Sequence, residues 1–225
     1  LIAYASSFDQ IGFFTNSLAD TQLLLSHTVG QDPYDATSSS LDNKVRTNLP
    51  EKLKIGVLAE CLHHPGLDIE IKEKLQQTLA DLSAKGHEII EVSFPFLDYM
   101  VPTYYVLTTA EASSNLSRFD GVHYGYRSAE AKGVEQTYVK SRSEGFGPEV
   151  QRRIMTGTFV LSHGYYDAYY TKGQQVRRIL KDRTSALLNE CDVLLSPTTP
   201  TTAFEMNAVK DPIQMYLQDI FTVHA

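Results

Sequence analysis

Two adjacent arginines, Arg152 and Arg153, are the side chains of this sequence best suited to bind a substrate anion. They lie near the start of a predicted helix that is otherwise apolar and rich in small residues. If the apolar residues of this helix face the core, one guanidinium must point near the core, where it needs an anion. The planar group can grip a substrate carboxylate in two places. The alternative is a solvated ion pair with Glu144 or Glu149, because most surface charges are simply solvated.

A second predicted helix, over residues 99–118, is crowded with small and hydroxyl-bearing side chains and carries Tyr104 and Tyr105. Such a helix can pack closely against a neighbouring backbone or against a ligand. Tight helix packing, with one tyrosine hydroxyl bonded to a neighbour, is the more common arrangement. The aromatic run over residues 165–170 indicates aromatic core and interface surface.

Several familiar catalytic signatures are absent from the sequence. It has no G-x-S-x-G elbow, no G-x-x-x-x-G-K-[ST] phosphate loop and no H-E-x-x-H pair. The cysteines and histidines do not have zinc spacing. His63 and His64 are adjacent, so their side chains diverge, and a polar loop is the simplest interpretation.

The composition limits the classes of partner. Lys and Arg number 20 against 27 Asp and Glu, which gives a net charge of −7. This balance argues against a large nucleic-acid footprint, which needs clustered positive charge. No apolar run approaches the ~18 residues of a membrane span. Two distant cysteines suggest no disulfide framework, so we expect a cytoplasmic protein. The sequence begins at Leu1 and ends in an apolar run, so we expect both ends to lie within a longer chain.

The hydrophobic pattern predicts an α/β fold. Apolar runs predict strands at 53–59 and 87–93, with an amphipathic helix at 68–84 between them, which favours a parallel pair with a right-handed crossover. A third strand is predicted at 193–196, and residues 31–50 are predicted to form a loop. Further helices are predicted at 17–29 (with Ser17 as N-cap and Gly30 as stop), 99–118, 134–143, 148–163, 166–190 and 212–221.

Six stretches, in order along residues 1–225, resemble the A subunits of the glutamyl-tRNA(Gln)/aspartyl-tRNA(Asn) amidotransferases, a branch of the amidase signature family. They are LIAYASSFDQIG, EASSNLSRFDGVHYGYR, SRSEGFGPEVQRRI, GYYDAYYTKGQQVR, SPTTPTTAF and DPIQMYLQDIFTV. The resemblance implies a mixed sheet covered by helices on both faces. It also implies that residues 1–225 form a single partial domain from which the N-terminal catalytic region is absent.

The activity implied by the resemblance is hydrolysis of glutamine to glutamate and ammonia. The ammonia would serve to amidate misacylated tRNA, which is reached through a complex with subunits B and C. ATP and Mg²⁺ would be used by the partner subunit, and no cofactor would be needed in this one. The family uses a serine nucleophile, a second serine in a cis peptide and a lysine base. These belong to a region preceding Leu1, so no catalytic residue is expected here, and Ser6 and Ser7 do not inherit the nucleophile role.

The resemblance also implies a glutamine pocket. Arg153 is expected to hold the substrate α-carboxylate, Asp219 the α-ammonium, and Tyr104 to line the same pocket. On residue type alone, Asp219 would be an ordinary exposed acid on the last predicted helix. His224 departs from the pattern, because many relatives are expected to have proline there. Two alternatives stay open: another small-amide amidase of the same family, and a non-catalytic binding or scaffold module.

Overall fold

The computed structural model describes residues 2–36, 38, 50–206, 208 and 211–224. Within these residues, the strands are β1 (Lys54–Leu58), β2 (Glu88–Val92) and β3 (Val193–Leu195). The α-helices are α1 (Leu18–Thr28), α2 (Ala59–Leu62), α3 (Ile69–Ala84), α4 (Leu97–Asn115), α5 (Gly133–Gly145), α6 (Pro148–Val160), α7 (Lys172–Glu190) and α8 (Pro212–Leu217). The predicted loop over 31–50 falls partly outside the described residues, since residues 37 and 39–49 are not among them.

The three strands form a parallel sheet in the order β2-β1-β3. Four of the five residues of β1 are buried, as is typical of a central parallel strand covered on both faces. Gly56 of β1 is required by its neighbours, because a Cβ there would lie 2.9 Å from both the Cys191 Sγ and a methyl group of Leu194. The predicted β-α-β unit is confirmed as β1, α3 and β2.

Helices cover both faces of the sheet. On one face, Leu75 and Leu79 of α3 pack with Val57 of β1. On the other face, α4 and α7 contribute to the larger core cluster, which includes Leu58 of β1. The α/β fold class with helices on both faces is therefore confirmed, and the described strands are all parallel.

Each predicted helix has a counterpart in the structure, and the predicted cap at Ser17 is confirmed. Ser17 accepts a hydrogen bond from the Asp20 N–H (3.1 Å) and Asp68 accepts one from the Glu70 N–H (2.9 Å). The short α2 was not predicted. The predicted helix 166–190 divides into a π-helical turn, Asp167–Thr171, and α7.

The last predicted helix is shorter than expected, so the placement of Asp219 on it is wrong. Helix α8 ends at Leu217. Beyond it the backbone tightens into turns in which the Asp219 N–H donates to the Tyr216 carbonyl (3.2 Å) and the Ile220 N–H to the Leu217 carbonyl (3.2 Å). These i→i−3 bonds are geometrically poorer than α-helical bonds and mark the end of regular helix.

Helices α4 and α6 approach each other closely. A Cβ on Gly157 of α6 would lie 1.9 Å from the carbonyl oxygen of Thr109 on α4. Alongside, the Ser113 and Thr158 hydroxyls are 2.9 Å apart. The prediction of tight packing along the small-residue helix is confirmed. The described residues contain no helix long and apolar enough to cross a membrane.

Candidate functional site

Residues 2–9 are attached to the helical layer by side chains of α4 and α7. Glu111 of α4 accepts hydrogen bonds from the Ser7 amide (2.9 Å) and the Ser7 hydroxyl. Arg177 of α7 donates to the Ser7 hydroxyl and carbonyl, each at 2.8 Å, and Asn115 donates to the Ser6 hydroxyl (3.1 Å). The segment therefore forms a fixed wall beside α4, and both of its serine hydroxyls are already hydrogen-bonded.

Arg153 of α6 points towards this wall. Its Nη1 donates to the Tyr4 hydroxyl (2.8 Å) and its Nε donates to Glu149 Oε1 (3.0 Å). The guanidinium carbon lies 5.6 Å from the centre of the Tyr4 ring and 5.5 Å from that of Tyr105, within range for cation–π attraction. Only 25% of the Arg153 side chain is exposed. The group is thus oriented by two hydrogen bonds and two rings.

Glu149 is the ion-pair partner that the sequence left open. It accepts from both Arg152 and Arg153, whereas Glu144 accepts from the Tyr126 and Ser128 hydroxyls. Two guanidinium groups thus share one carboxylate, and one positive charge remains.

The third nitrogen of Arg153 is available to a ligand. Among the described residues, Arg153 Nη2 has no hydrogen-bond partner. Burial acts to lower the pKa of Arg153, but the hydrogen bonds to Tyr4 and Glu149 outweigh it and raise the pKa. The guanidinium therefore stays charged and has Nη2 free to donate to a ligand.

Asp219 lies in the turn after α8. Its Oδ2 accepts a hydrogen bond from the Tyr105 hydroxyl at 3.0 Å. Its carbonyl accepts from the Val223 N–H (3.0 Å) and the Thr222 hydroxyl (3.2 Å), which fix the backbone of the turn. Within the described part of the chain, Oδ1 has no hydrogen-bond partner and can accept a donor from a ligand.

Tyr104 lies close to both charged residues. Its ring packs edge-on against Phe8, with centroids 5.7 Å apart, and against Tyr105, with centroids 5.1 Å apart. Burial, then the neighbouring Tyr4 and Asp219, raise the pKa of Tyr104, while Arg153 acts in the opposite direction. Tyr104, Asp219 and Arg153 therefore belong to one electrostatic cluster.

The cluster lies between two clefts. The first cleft, of about 690 Å³, is lined by Tyr104 and Asp219, together with Asp9, Arg177 and Lys181 among others. The second cleft, of about 470 Å³, is lined by Arg153, Tyr105 and Tyr216 among others. The three predicted residues are therefore close together but do not all line the same cleft.

Sequence reasoning named Tyr105 but did not place it in the pocket, and it missed Tyr4 altogether. Tyr105 contacts both Arg153 and Asp219, yet nothing in the sequence distinguishes it from Tyr104. Tyr4 binds Arg153 from 149 residues away, and no local pattern indicates that contact.

The histidines do not form a metal site in the described residues, where no group of three His, Cys, Asp or Glu side chains is suited to hold an ion. His63 faces Glu91 (3.4 Å), whereas the His64 ring packs edge-on against Phe221 (5.8 Å between centroids), so the two side chains diverge as predicted. The ring centroids of His224 and Phe94 are 4.6 Å apart, and burial lowers the pKa of His224.

Comparison with known proteins agrees with the fold. The family model described as Amidase matches residues 1–225, and the chain belongs to this amidase family.

Within the family, the chain is similar to proteins named as the A subunit of glutamyl-tRNA(Gln) amidotransferase. It is 48% identical to the one from Fusobacterium nucleatum subsp. nucleatum over 229 residues, which covers 100% of this chain and 47% of the relative. It is also 48% identical to the one from Chlorobium limicola over 231 residues, covering 100% of this chain and 48% of the relative. The chain thus spans about half the length of these relatives.

Solved structures of related proteins share this fold. The crystal structure of the glutamyl-tRNA(Gln) amidotransferase A subunit from Thermotoga maritima superposes with a TM-score of 0.72 at 36% identity, covering 99% of this chain and 44% of that one. A crystal structure of an amidase, at 22% identity and a TM-score of 0.57 over 79% of this chain and 37% of that one, shares the fold.

Proposed function

We propose that this chain is the glutamine-recognition part of an amidotransferase A subunit. The whole protein would hydrolyse glutamine to glutamate and ammonia, and the ammonia would amidate misacylated Glu-tRNA(Gln) or Asp-tRNA(Asn). The observation that carries the proposal is the pairing of a cation and an anion on either side of Tyr105. Arg153 Nη2 and Asp219 Oδ1 both lack a partner among the described residues, and an α-amino acid offers one group for each.

In this proposal Arg153 binds the α-carboxylate and Asp219 binds the α-ammonium. The charge left over after two arginines share Glu149 is available to the carboxylate. Tyr104 lines the first cleft beside Asp219, next to the cleft that Arg153 lines, and supplies a half-buried, largely apolar wall. An amide without the α-carbon charges would leave both groups unpaired in a partly buried site, which is costly. The arrangement thus favours glutamine over simple amides.

The chemistry itself is assigned to a region outside this chain. A serine nucleophile, a cis-peptide serine and a lysine base would come from that region, so no residue of this chain is proposed as catalytic. Partner subunits B and C would bind this subunit, and the partner would use ATP and Mg²⁺ and position the tRNA. The net charge of −7 agrees with tRNA being held elsewhere in a cytoplasmic complex.

The proposal is tested with the full-length polypeptide that contains residues 1–225, purified with its partner subunits. We expect release of glutamate and ammonia from glutamine, and ATP-dependent formation of amidated tRNA when misacylated tRNA is added. Hydrolysis of simple aliphatic amides in preference to glutamine would instead indicate a general amidase. Glutamine binding without turnover would indicate a binding module.

Replacing Asp219 by Asn in that protein is expected to reduce selectivity for the α-amino group. The change keeps the shape of the side chain but removes the negative charge that faces the ammonium. We expect kcat/KM for glutamine to fall about 30-fold or more, since breaking a buried charge pair costs about 2–5 kcal/mol. For the analogue that lacks the α-amino group, glutaramate, we expect a change of less than about threefold.

Steady-state kinetics on both substrates measure this difference. Asp182→Asn is the matched control, because Asp182 is an exposed acid paired with Arg178 on α7 and lines neither cleft. Equal losses on glutamine and glutaramate in the Asp219 variant would contradict the ammonium role.

A further inference from the structure

Tyr105 contacts both charged residues of the proposed pocket. Its hydroxyl donates to Asp219 Oδ2 at 3.0 Å, and its ring centre lies 5.5 Å from the Arg153 guanidinium carbon. Among the described residues, Tyr105 is the side chain that contacts both Asp219, through a hydrogen bond, and Arg153, through its ring. Tyr104, by comparison, has its own pKa shifted by both groups but has no hydrogen bond to either within those residues.

The Tyr105 ring is itself held in place. It packs against Tyr216 with centroids 4.4 Å apart and against Tyr104 with centroids 5.1 Å apart, while its backbone belongs to the long helix α4. A ring confined by two other rings has little rotational freedom. Its hydroxyl therefore presents a fixed point to which a neighbouring carboxylate can be tied.

Asp219 needs such a point, because it lies in a turn rather than in a helix. The backbone of the turn is ordered by local bonds, but within the described residues only Tyr105 bonds to the carboxylate. Because Oδ2 is hydrogen-bonded to Tyr105, the carboxylate cannot rotate freely, and Oδ1 is held in one orientation. Prior orientation of this kind lowers the entropy lost when a ligand binds.

We propose that Tyr105 is a positioning residue that sets selectivity for an α-amino acid amide, because it fixes Asp219 relative to Arg153. This inference rests on the proposed function and deepens it. Tyr105 does not contact the reacting amide in this proposal. It determines where the α-ammonium and α-carboxylate of the substrate can sit, and thereby which amides fit.

The test is Tyr105→Phe in the full-length protein with its partner subunits. The variant keeps the ring that packs on Arg153 and Tyr216 and removes only the hydroxyl. We expect KM for glutamine to rise about tenfold, because a hydrogen bond to a charged group is lost. We expect kcat to change less than about twofold, and both constants for glutaramate to stay within about twofold of wild type.

The matched control is Tyr126→Phe. It also removes a tyrosine hydroxyl bonded to a carboxylate, that of Glu144 at 2.8 Å, but outside both clefts. We expect wild-type constants on both substrates. Similar losses in the two tyrosine variants, or equal losses on glutamine and glutaramate in Tyr105→Phe, would show a merely structural role and overturn the inference.

A double-mutant cycle with Asp219→Asn separates this inference from the proposed function. If Tyr105 acts through Asp219, adding Tyr105→Phe to Asp219→Asn causes no further loss on glutamine. Additive losses would overturn the positioning role. If Asp219→Asn itself leaves the ratio of glutamine to glutaramate use unchanged, the proposed pocket fails. If that ratio changes and Tyr105→Phe has no effect, only the positioning role fails.

Discussion

Replacing Arg153 by Ala in the full-length protein is expected to lower kcat/KM for glutamine by about 30-fold or more. The Arg153 side chain is three-quarters buried, and its guanidinium is held by Tyr4 and Glu149 and keeps Nη2 free among the described residues. Its loss leaves the α-carboxylate of glutamine partly buried without a cation, which costs about 2–5 kcal/mol. Because the same contact is made in the ground state and the transition state, we expect the effect mainly in KM.

Steady-state glutaminase kinetics check this result, and two further variants make it specific. Arg153→Lys keeps the charge but loses the planar fork, so we expect an intermediate loss. Arg178→Ala is the matched control, since Arg178 also forms an i,i+4 ion pair with an acid, Asp182, but is exposed and lines neither cleft. An unchanged kcat/KM for glutamine in Arg153→Ala would contradict the pocket assignment.

The second large effect is expected from Gly157→Ala, which acts on stability. The added Cβ would meet the Thr109 carbonyl oxygen at 1.9 Å, and the neighbour is backbone, which cannot rotate away. Helices α4 and α6 would have to separate. Overpacking of this kind costs about 1–3 kcal/mol and sometimes more. We expect a loss of about 3 kcal/mol in the free energy of unfolding, together with a fall in Tm of several degrees.

Thermal unfolding of the full-length variant, alongside its soluble yield, measures this effect. Gly12→Ala is the control, because a Cβ there meets no atom within 4 Å in the described structure. We expect its free energy of unfolding to stay within about 0.5 kcal/mol of wild type. A Gly157→Ala protein as stable as wild type would show that α4 and α6 are not packed as closely as described.

Stability and recognition are linked at this helix pair. Arg153 and Gly157 are four residues apart on α6 and so share a face of the helix. The close approach permitted by Gly157 therefore brings Arg153 near Tyr105 on α4. We infer that the packing of small residues, a structural feature in itself, also sets the geometry of the cluster.

Local signals in the sequence predict the elements well, because those signals act over a few residues. Ser17 caps the helix that it predicts, and Asp68 caps the helix predicted to begin there. Two apolar runs with an amphipathic helix between them predict the β-α-β unit, and the structure confirms it. Helix ends are predicted less well: α8 ends at Leu217, since turn geometry there depends on how the segment packs on the core.

The candidate site depends on contacts that no local pattern specifies. Tyr105 and Asp219 are 114 residues apart in the chain, so the sequence around one does not predict its contact with the other. Arg153 is suggested by an arginine pair in an apolar helix, and Glu149 is one of two partners foreseen for it. Asp219 and Tyr104 come from the resemblance alone, and their roles stay predictions.

The central position of β1 has a consequence for chain entropy. Where β1 pairs with β2, contacts join residues 34 apart in the chain, as between Leu53 and His87. Where β1 pairs with β3, they join residues 138 apart, as between Lys54 and Asp192. Two doublings of loop length add about 1.2 kcal/mol to the closure cost. A strand of only three residues cannot offset much of this by itself. Leu194 of this strand packs against the larger core cluster, to which α4 and α7 contribute, and this packing therefore helps to hold the third strand in the sheet.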